Sequence, residues 1–156
     1  MYALQPLLKI RMMREDRATG ELVAAKQALA AAEETVAARK RDLAEYEATK
    51  EERRDRIYAT VIGRTVSREQ LDLATEGVAR SDEEGALKAD NVAHAEAERK
   101  TREAATDAAR ANLNLATKNR MKIDEHRAVW LAAEALRQEA RTEGELEDFT
   151  VKKEAI

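Results

Sequence analysis

The feature that most limits what this chain can fold into is a run of apolar residues that recur every seven positions with two exceptions. Leu8, Leu22, Leu29, Val36, Leu43 and Ile57 share one phase, with Glu15 and Lys50 at the two remaining steps. Ala18, Ala25, Ala32 and Tyr46 stand at the companion position three residues on. That period keeps one stripe of a helix against a partner helix and specifies a coiled coil. A strand, whose side chains alternate with period 2, scatters the same residues over both faces.

Composition agrees. Charged residues make up 38% of the chain and aromatic residues only 3%, so there are too few large apolar side chains to fill a globular core of this length. Ala, Glu, Lys, Arg and Leu dominate, and all favour helix. The fold class expected is all-α.

Punctuation sets the elements. Pro6 suits a first helical turn, where its missing N–H costs nothing, and the seam then runs to Gly63, placed as a helix-terminating glycine. Ser67 and Gln70 have the spacing of a capping box. A second heptad runs through Leu71, Ala74, Val78, Val92, Ala95, Ala109, Leu113, Ala116, Ile123 and Trp130. The expectation is a single helical hairpin over 1–156: helix over about 6–62, turn over about 63–67, helix over about 68–143 and an acidic C-terminal tail over 144–156 beyond Gly144. Two long helices joined by so short a connection pack as an antiparallel coiled-coil hairpin, the second helix longer. One consistent register sets Ile57 by Ala74 and the large Tyr46 opposite Gly85, with Lys50, Arg39 and Arg11 also on the seam. In that register Trp130 overhangs the first helix without a partner on it.

Residues 1–64 carry 13 Lys and Arg against 11 Asp and Glu, and the remainder 15 against 20. Opposite signs on two helices favour pairing within the chain, and no sustained basic face with aromatic readers points to nucleic acid. No stretch approaches the roughly 18 to 20 apolar residues that span a bilayer, and the start lacks the apolar run of a signal peptide. A soluble protein made inside the cell is expected, without direct membrane insertion. The absence of cysteine fits a reducing compartment.

Catalytic constellations are missing. The glycines at 20, 63, 77, 85 and 144 form no phosphate loop or dinucleotide fingerprint. His94 with Asp90 and Glu98 at four-residue spacing reads as a solvated helix face, because a metal site in a helical bundle needs Glu-x-x-His pairs from facing helices. No enzyme, no cofactor and no metal are expected. What stands out instead is the segment RRDRIYATVIGRTVSREQL, where Ile57, Tyr58, Val61 and Ile62 sit among Arg53, Arg54, Arg56, Arg64 and Arg68 with Asp55 as the one acid between 53 and 68. Arginine around tyrosine and aliphatics is the composition of a protein interface centre.

The opening MYALQPLLKIRMMRED, the alanine-rich heptad arm, this tip segment and the acidic end near a Phe resemble the SctO (YscO) proteins of bacterial type III secretion systems, counterparts of flagellar FliJ. The resemblance implies a central stalk that links the hexameric secretion ATPase (SctN) to the export gate (SctV), promotes ATP hydrolysis and export, and handles export chaperones. It implies a cytoplasmic location at the inner membrane, in virulence or symbiosis. It places the ATPase-ring contacts at the open end, on Leu7, Leu8, Lys9, Arg11, Arg14 and Trp130. The gate contacts fall at the hairpin tip, on Arg53, Arg54, Arg56, Ile57, Tyr58, Val61, Ile62 and Arg64. The other reading is a cytosolic coiled-coil chaperone or tether with no link to an ATPase. Stoichiometry separates the two: a stalk is a monomeric hairpin, one per hexamer, and a tether is more often a homodimer.

Overall fold

The structure is a computed structural model that describes residues 2–154, the side chains beyond Glu145 excepted. Most of the acidic tail expected over 144–156 therefore lies outside the described side chains. The described residues form three helices: α1 (Gln5–Ala48), α2 (Lys50–Tyr58) and α3 (Arg68–Glu154). No strand occurs among the described residues, as an all-α fold requires. α1 and α3 touch in two compact units, one drawn from the described part of Met1–Leu22 and Ala109–Ile156, the other from Val23–Ala108. These contacts are consistent with a hairpin.

In the unit Val23–Ala108, Val36, Tyr46, Ala74 and Thr106 are buried. The Thr106 hydroxyl lies 2.9 Å from the carbonyl of Arg102 and 3.3 Å from that of Ala25 on α1, so a buried polar group finds acceptors on both helices. Lys40 meets Glu96 at 2.7 Å and Lys50 meets Asp82 at 2.9 Å. These pairs are solvated and contribute little to stability. Arg39, expected on the seam, is exposed and reaches Asp42 of its own helix at 3.9 Å.

The centre of this unit is Tyr46, 3% exposed. Its hydroxyl donates to the carbonyl of Ser81, and because a carbonyl only accepts, the Ser81 hydroxyl, 2.9 Å away, donates back to Tyr46. A Cβ at Gly85 would lie 3.1 Å from Tyr46 Cε1, so the glycine is what lets α3 pass over the ring.

In the other unit Tyr2, Leu8 and Ala18 are buried. Tyr2 corrects the expectation for Trp130, whose ring lies 5.5 Å from that of Tyr2. Residues 2–5 do not trail away: Gln5 N donates to Tyr2 O at 3.2 Å, and this turn folds the tyrosine back onto α3. Glu15, at a heptad position, accepts from the Thr117 hydroxyl at 2.8 Å and from Arg120, which also pairs with Asp124.

The helix limits differ from the heptad reading in three places. α1 stops at Ala48 instead of continuing to 62, because the Thr49 hydroxyl bonds back to the carbonyls of Glu45 (3.1 Å) and Tyr46 (3.3 Å), and its amide takes Tyr46 O at 3.3 Å. Threonine competes with the helical ladder in this way. α2 then ends at Tyr58, where winding tightens: Thr60 N bonds Ile57 O at 3.2 Å and Val61 N bonds Tyr58 O at 3.0 Å. The turn closes on Gly63 at φ 73°, a left-handed conformation that glycine adopts without strain. Ser67 and Gln70 form the reciprocal capping box, Ser67 N to Gln70 Oε1 at 2.9 Å and Gln70 N to Ser67 Oγ at 3.2 Å. At the far end α3 does not stop at Gly144 but runs to Glu154. One interior glycine costs about 1 kcal/mol, and the Glu and Leu residues beside it restore the helix.

The glycines give a signed prediction. Nothing lies within 4 Å of a Cβ at Gly20, so Gly20→Ala is expected to stabilise by about 0.5–1 kcal/mol through helix propensity. Gly85→Ala gains the same propensity but drives a methyl into an anchored tyrosine, and overpacking costs about 1–3 kcal/mol. Thermal unfolding followed by circular dichroism should show the first variant melting above wild type and the second below it. A Gly85→Ala that melts with Gly20→Ala overturns the close approach.

Candidate functional site

Two surfaces hold the residues singled out from the sequence, one in each unit. The first is the turn region of Val23–Ala108. α2 places Ile57 half-buried against α3, where a Cβ at Gly77 would lie 3.5 Å from Ile57 Cγ2. Tyr58 and Val61 are also half-buried, and Ile62 is 70% exposed. Ile57 and Gly77 line two clefts. One is apolar, walled by Val61, Leu73 and Ala74 with Thr60 and Gln70. The other is polar, walled by Arg53, Arg56, Arg80, Ser81 and Glu84.

Leu73, 61% exposed, and Arg80 belong to this surface, yet both were missed in the sequence. Leu73 lies off the stripe defined by Leu71 and Ala74, and that displacement was the available signal. The arginines are less free than their count suggests. Arg56 reaches Glu52 at 3.2 Å, Arg68 reaches Asp72 at 3.9 Å and Arg80 reaches Glu76 at 3.6 Å. Arg53 is half-buried, its Nη2 donating to Tyr46 O at 3.1 Å. Arg54 and Arg64 are exposed. The basic excess of 53–68 is thus offset in part by carboxylates on α2 and α3.

The second surface lies in the unit of Met1–Leu22 and Ala109–Ile156. Leu8 is 2% exposed, so it is core and not available to a partner. Leu7 is half-buried, and so is Arg11, whose Nε is buried without a hydrogen-bond partner among the described residues. Lys9 and Arg14 are exposed, beside exposed Ile10, Met12 and Met13. Tyr2, Pro6, Lys9 and Met12 line an apolar groove. Trp130 packs against Tyr2 with the two rings tilted at 50°, and the Tyr2 hydroxyl lies 2.8 Å from His126 Nδ1. Tyr2 and the methionines escaped the sequence reading because they fall outside the heptad.

Electrostatics in this unit centre on Glu15, whose side chain is 20% exposed. The hydrogen bond from Thr117 lowers its pKa from the ordinary 4.5, burial opposes this, and Arg120 adds to the lowering. Asp90 and His94 sit on an exposed face, and among the described residues no group of three His, Cys, Asp or Glu is placed to hold a metal. No described helix is long and apolar enough to cross a membrane.

Long helices in contact along a seven-residue seam, with two surfaces of mixed aliphatic and basic character, define a helical protein of coiled-coil type. The family model described as type III secretion protein YscO matches residues 4–152, and the chain belongs to that family. No curated protein and no solved structure gives a significant match.

The Glu15 cluster sets a pH dependence. A carboxyl whose folded pKa is depressed contributes stability that is present above its unfolded pKa and is lost as pH falls through the folded one. Glu15→Gln removes that contribution. It is therefore expected to melt below wild type at pH 7, with the gap closing as pH falls below about 4.5. A gap of constant size from pH 7 to pH 3 overturns the charged role of Glu15.

Proposed function

We propose that this protein is the central stalk of a type III secretion apparatus, an antiparallel coiled-coil hairpin without catalysis of its own. It links the hexameric ATPase (SctN) to the export gate (SctV) at the cytoplasmic side of the inner membrane. The observation that carries this reading is membership of the type III secretion protein YscO family over residues 4–152. The heptad seam supports the hairpin, since Tyr46 meets Ser81 and Gly85 while Glu15 meets Thr117 and Arg120, each close to the expected register.

In this reading the end that carries the N-terminus enters the ATPase ring through Lys9, Arg14 and the exposed Met12 and Met13. A single asymmetric hairpin cannot touch six subunits equally, so it biases which of them close on nucleotide. That is a coupling free energy between pore contacts and active sites, typically about 1–3 kcal/mol. The turn region meets the export gate through Ile57, Tyr58, Val61 and Ile62, with Arg54, Arg56 and Arg64 around them and the Leu73 cleft beside them. The half-buried Arg11 acts from within the seam in support of the ring contacts. Export chaperones are further partners.

Titration of the protein into its cognate ATPase is expected to raise ATP hydrolysis and to saturate at about one chain per hexamer, the fixed stoichiometry of a single coupled effector. A Lys9→Glu, Arg14→Glu double reversal should abolish the effect; it spares Arg11, which a carboxylate would disturb inside the seam. A folded wild-type protein that neither binds nor stimulates the ATPase turns the assignment to a chaperone or tether.

Tyr58→Ala tests the other end. Helicity should be nearly unchanged, and capture of the export gate's cytoplasmic domain should fall by about tenfold or more, as expected for an interface tyrosine. Retained capture with a large loss of melting temperature would make Tyr58 a structural plug instead.

A further inference from the structure

Arg53 stands among the arginines of the turn region, but its surroundings differ from theirs. Where α1 stops at Ala48, the Tyr46 carbonyl no longer receives a helical amide four residues on; it takes the Thr49 amide at 3.3 Å, the Thr49 hydroxyl at 3.3 Å and Arg53 Nη2 at 3.1 Å. The same Nη2 also donates to the Thr49 hydroxyl oxygen. The Arg53 guanidinium carbon lies 4.0 Å from the centre of the Tyr46 ring, with Lys88 Nζ at 5.7 Å. The ring itself is held by Ser81 and closed over by Gly85. Arg53 N meanwhile donates to Thr49 O at 3.1 Å, the first backbone bond of α2. One residue therefore bonds the end of α1 through its side chain and the start of α2 through its backbone.

We infer that Tyr46, Thr49 and Arg53 form a built joint, and that Arg53 is a positioning residue which sets the direction in which α2 presents Ile57 and Tyr58. The fixed point is Tyr46, immobilised by α3. A guanidinium is suited to the task because the two N–H groups of its terminal Nη2 are held in the plane of the group and reach both oxygens while that plane lies over the aromatic ring. Lysine has the charge without the plane. The break in α1 is thus bridged by side-chain bonds as well as by the Thr49 and Arg53 amides, and α2 leaves at an angle fixed by the reach of Arg53 from the ring. The purpose of such aiming rests on the reading of the turn region as a partner site; the geometry of the joint does not.

The test uses the full chain, which has no native cysteine. Spin labels at Asp55→Cys and Asp72→Cys, both exposed, report the direction of α2 against α3. Labels at Ala37→Cys and Ala93→Cys, also exposed, report the helix pair on the α1 side of Thr49. Arg53→Met keeps the apolar stem and removes the donors. Electron spin resonance should then give a displaced and broadened 55–72 distance distribution with the 37–93 distribution and the helicity unchanged. Arg53→Lys should fall between Arg53→Met and wild type. A 55–72 distribution identical to wild type in Arg53→Met overturns the joint, and so does equal disturbance of both pairs, which marks Arg53 as a general stabiliser.

Capture of the export gate's cytoplasmic domain should weaken by about tenfold in Arg53→Met, roughly 1.4 kcal/mol. A shifted 55–72 distance with capture unchanged upholds the joint and removes the gate-contact reading of the turn region. The two failures are therefore distinguishable.

Discussion

The packing of Tyr46 against Gly85 is the constraint on which the unit Val23–Ala108 depends. Alanine-rich seams bring helices close but bury little area per residue, and a stripe of alanines is nearly indifferent to sliding by one heptad. A bulky ring that fits only where the facing helix lacks a Cβ removes that indifference. The paired hydroxyls of Tyr46 and Ser81 add direction, since a slipped register leaves a buried phenol without a partner. Once the ring is fixed, its neighbours inherit a fixed surface. Lys88 and Arg53 lie over it, and Gly77 meets Ile57 two turns away along α3.

In the unit of Met1–Leu22 and Ala109–Ile156 the same task falls to polar contacts. Glu15 occupies a position where the heptad calls for an aliphatic residue, and it is satisfied by Thr117 and Arg120. Such a group adds little to net stability, because desolvation cancels much of the attraction, but it penalises any arrangement that leaves it unpaired. Leu8 and the Tyr2 ring supply apolar burial on the N-terminal side of Glu15, and Ala18 on the other. The thin core leaves exposed methionines and aliphatics next to Lys9 and Arg14, surfaces that gain stability when covered. Any partner that covers them would stabilise the folded state by mass action.

Much of the fold was legible because the period of the seam is a direct consequence of helix geometry. The all-α class, the capping box at Ser67 and the meeting of Tyr46 with Gly85 follow from spacing alone. The break at Thr49 was not legible: a threonine within a helix is common, and only the tertiary setting of Tyr46 and Arg53 turns its back-bonding into an interruption. The role of Tyr2 was hidden because it lies before Pro6, outside any periodic pattern. Arg53 was grouped with its neighbours for its charge, which composition reports, whereas its function in the fold comes from where its fork points, which composition cannot report.

The turn region also changes meaning once carboxylates from α2 and α3 are placed beside its arginines. A segment that reads as strongly basic becomes a surface of i,i+4 pairs, each worth only about 0.3–0.5 kcal/mol, interrupted by exposed Ile62 and Leu73. Pairs that weak exchange readily, so in the proposed role Arg56 and Arg80 turn to a partner's carboxylates at small cost and return to Glu52 and Glu76 when it leaves. Charge of this sort speeds and orients an encounter more than it holds a complex. In the proposed role the holding comes from the aliphatic cleft around Ile57. Its accuracy then depends on how well α2 is aimed, and that returns to Arg53, whose Nη2 bonds the Tyr46 carbonyl and the Thr49 hydroxyl.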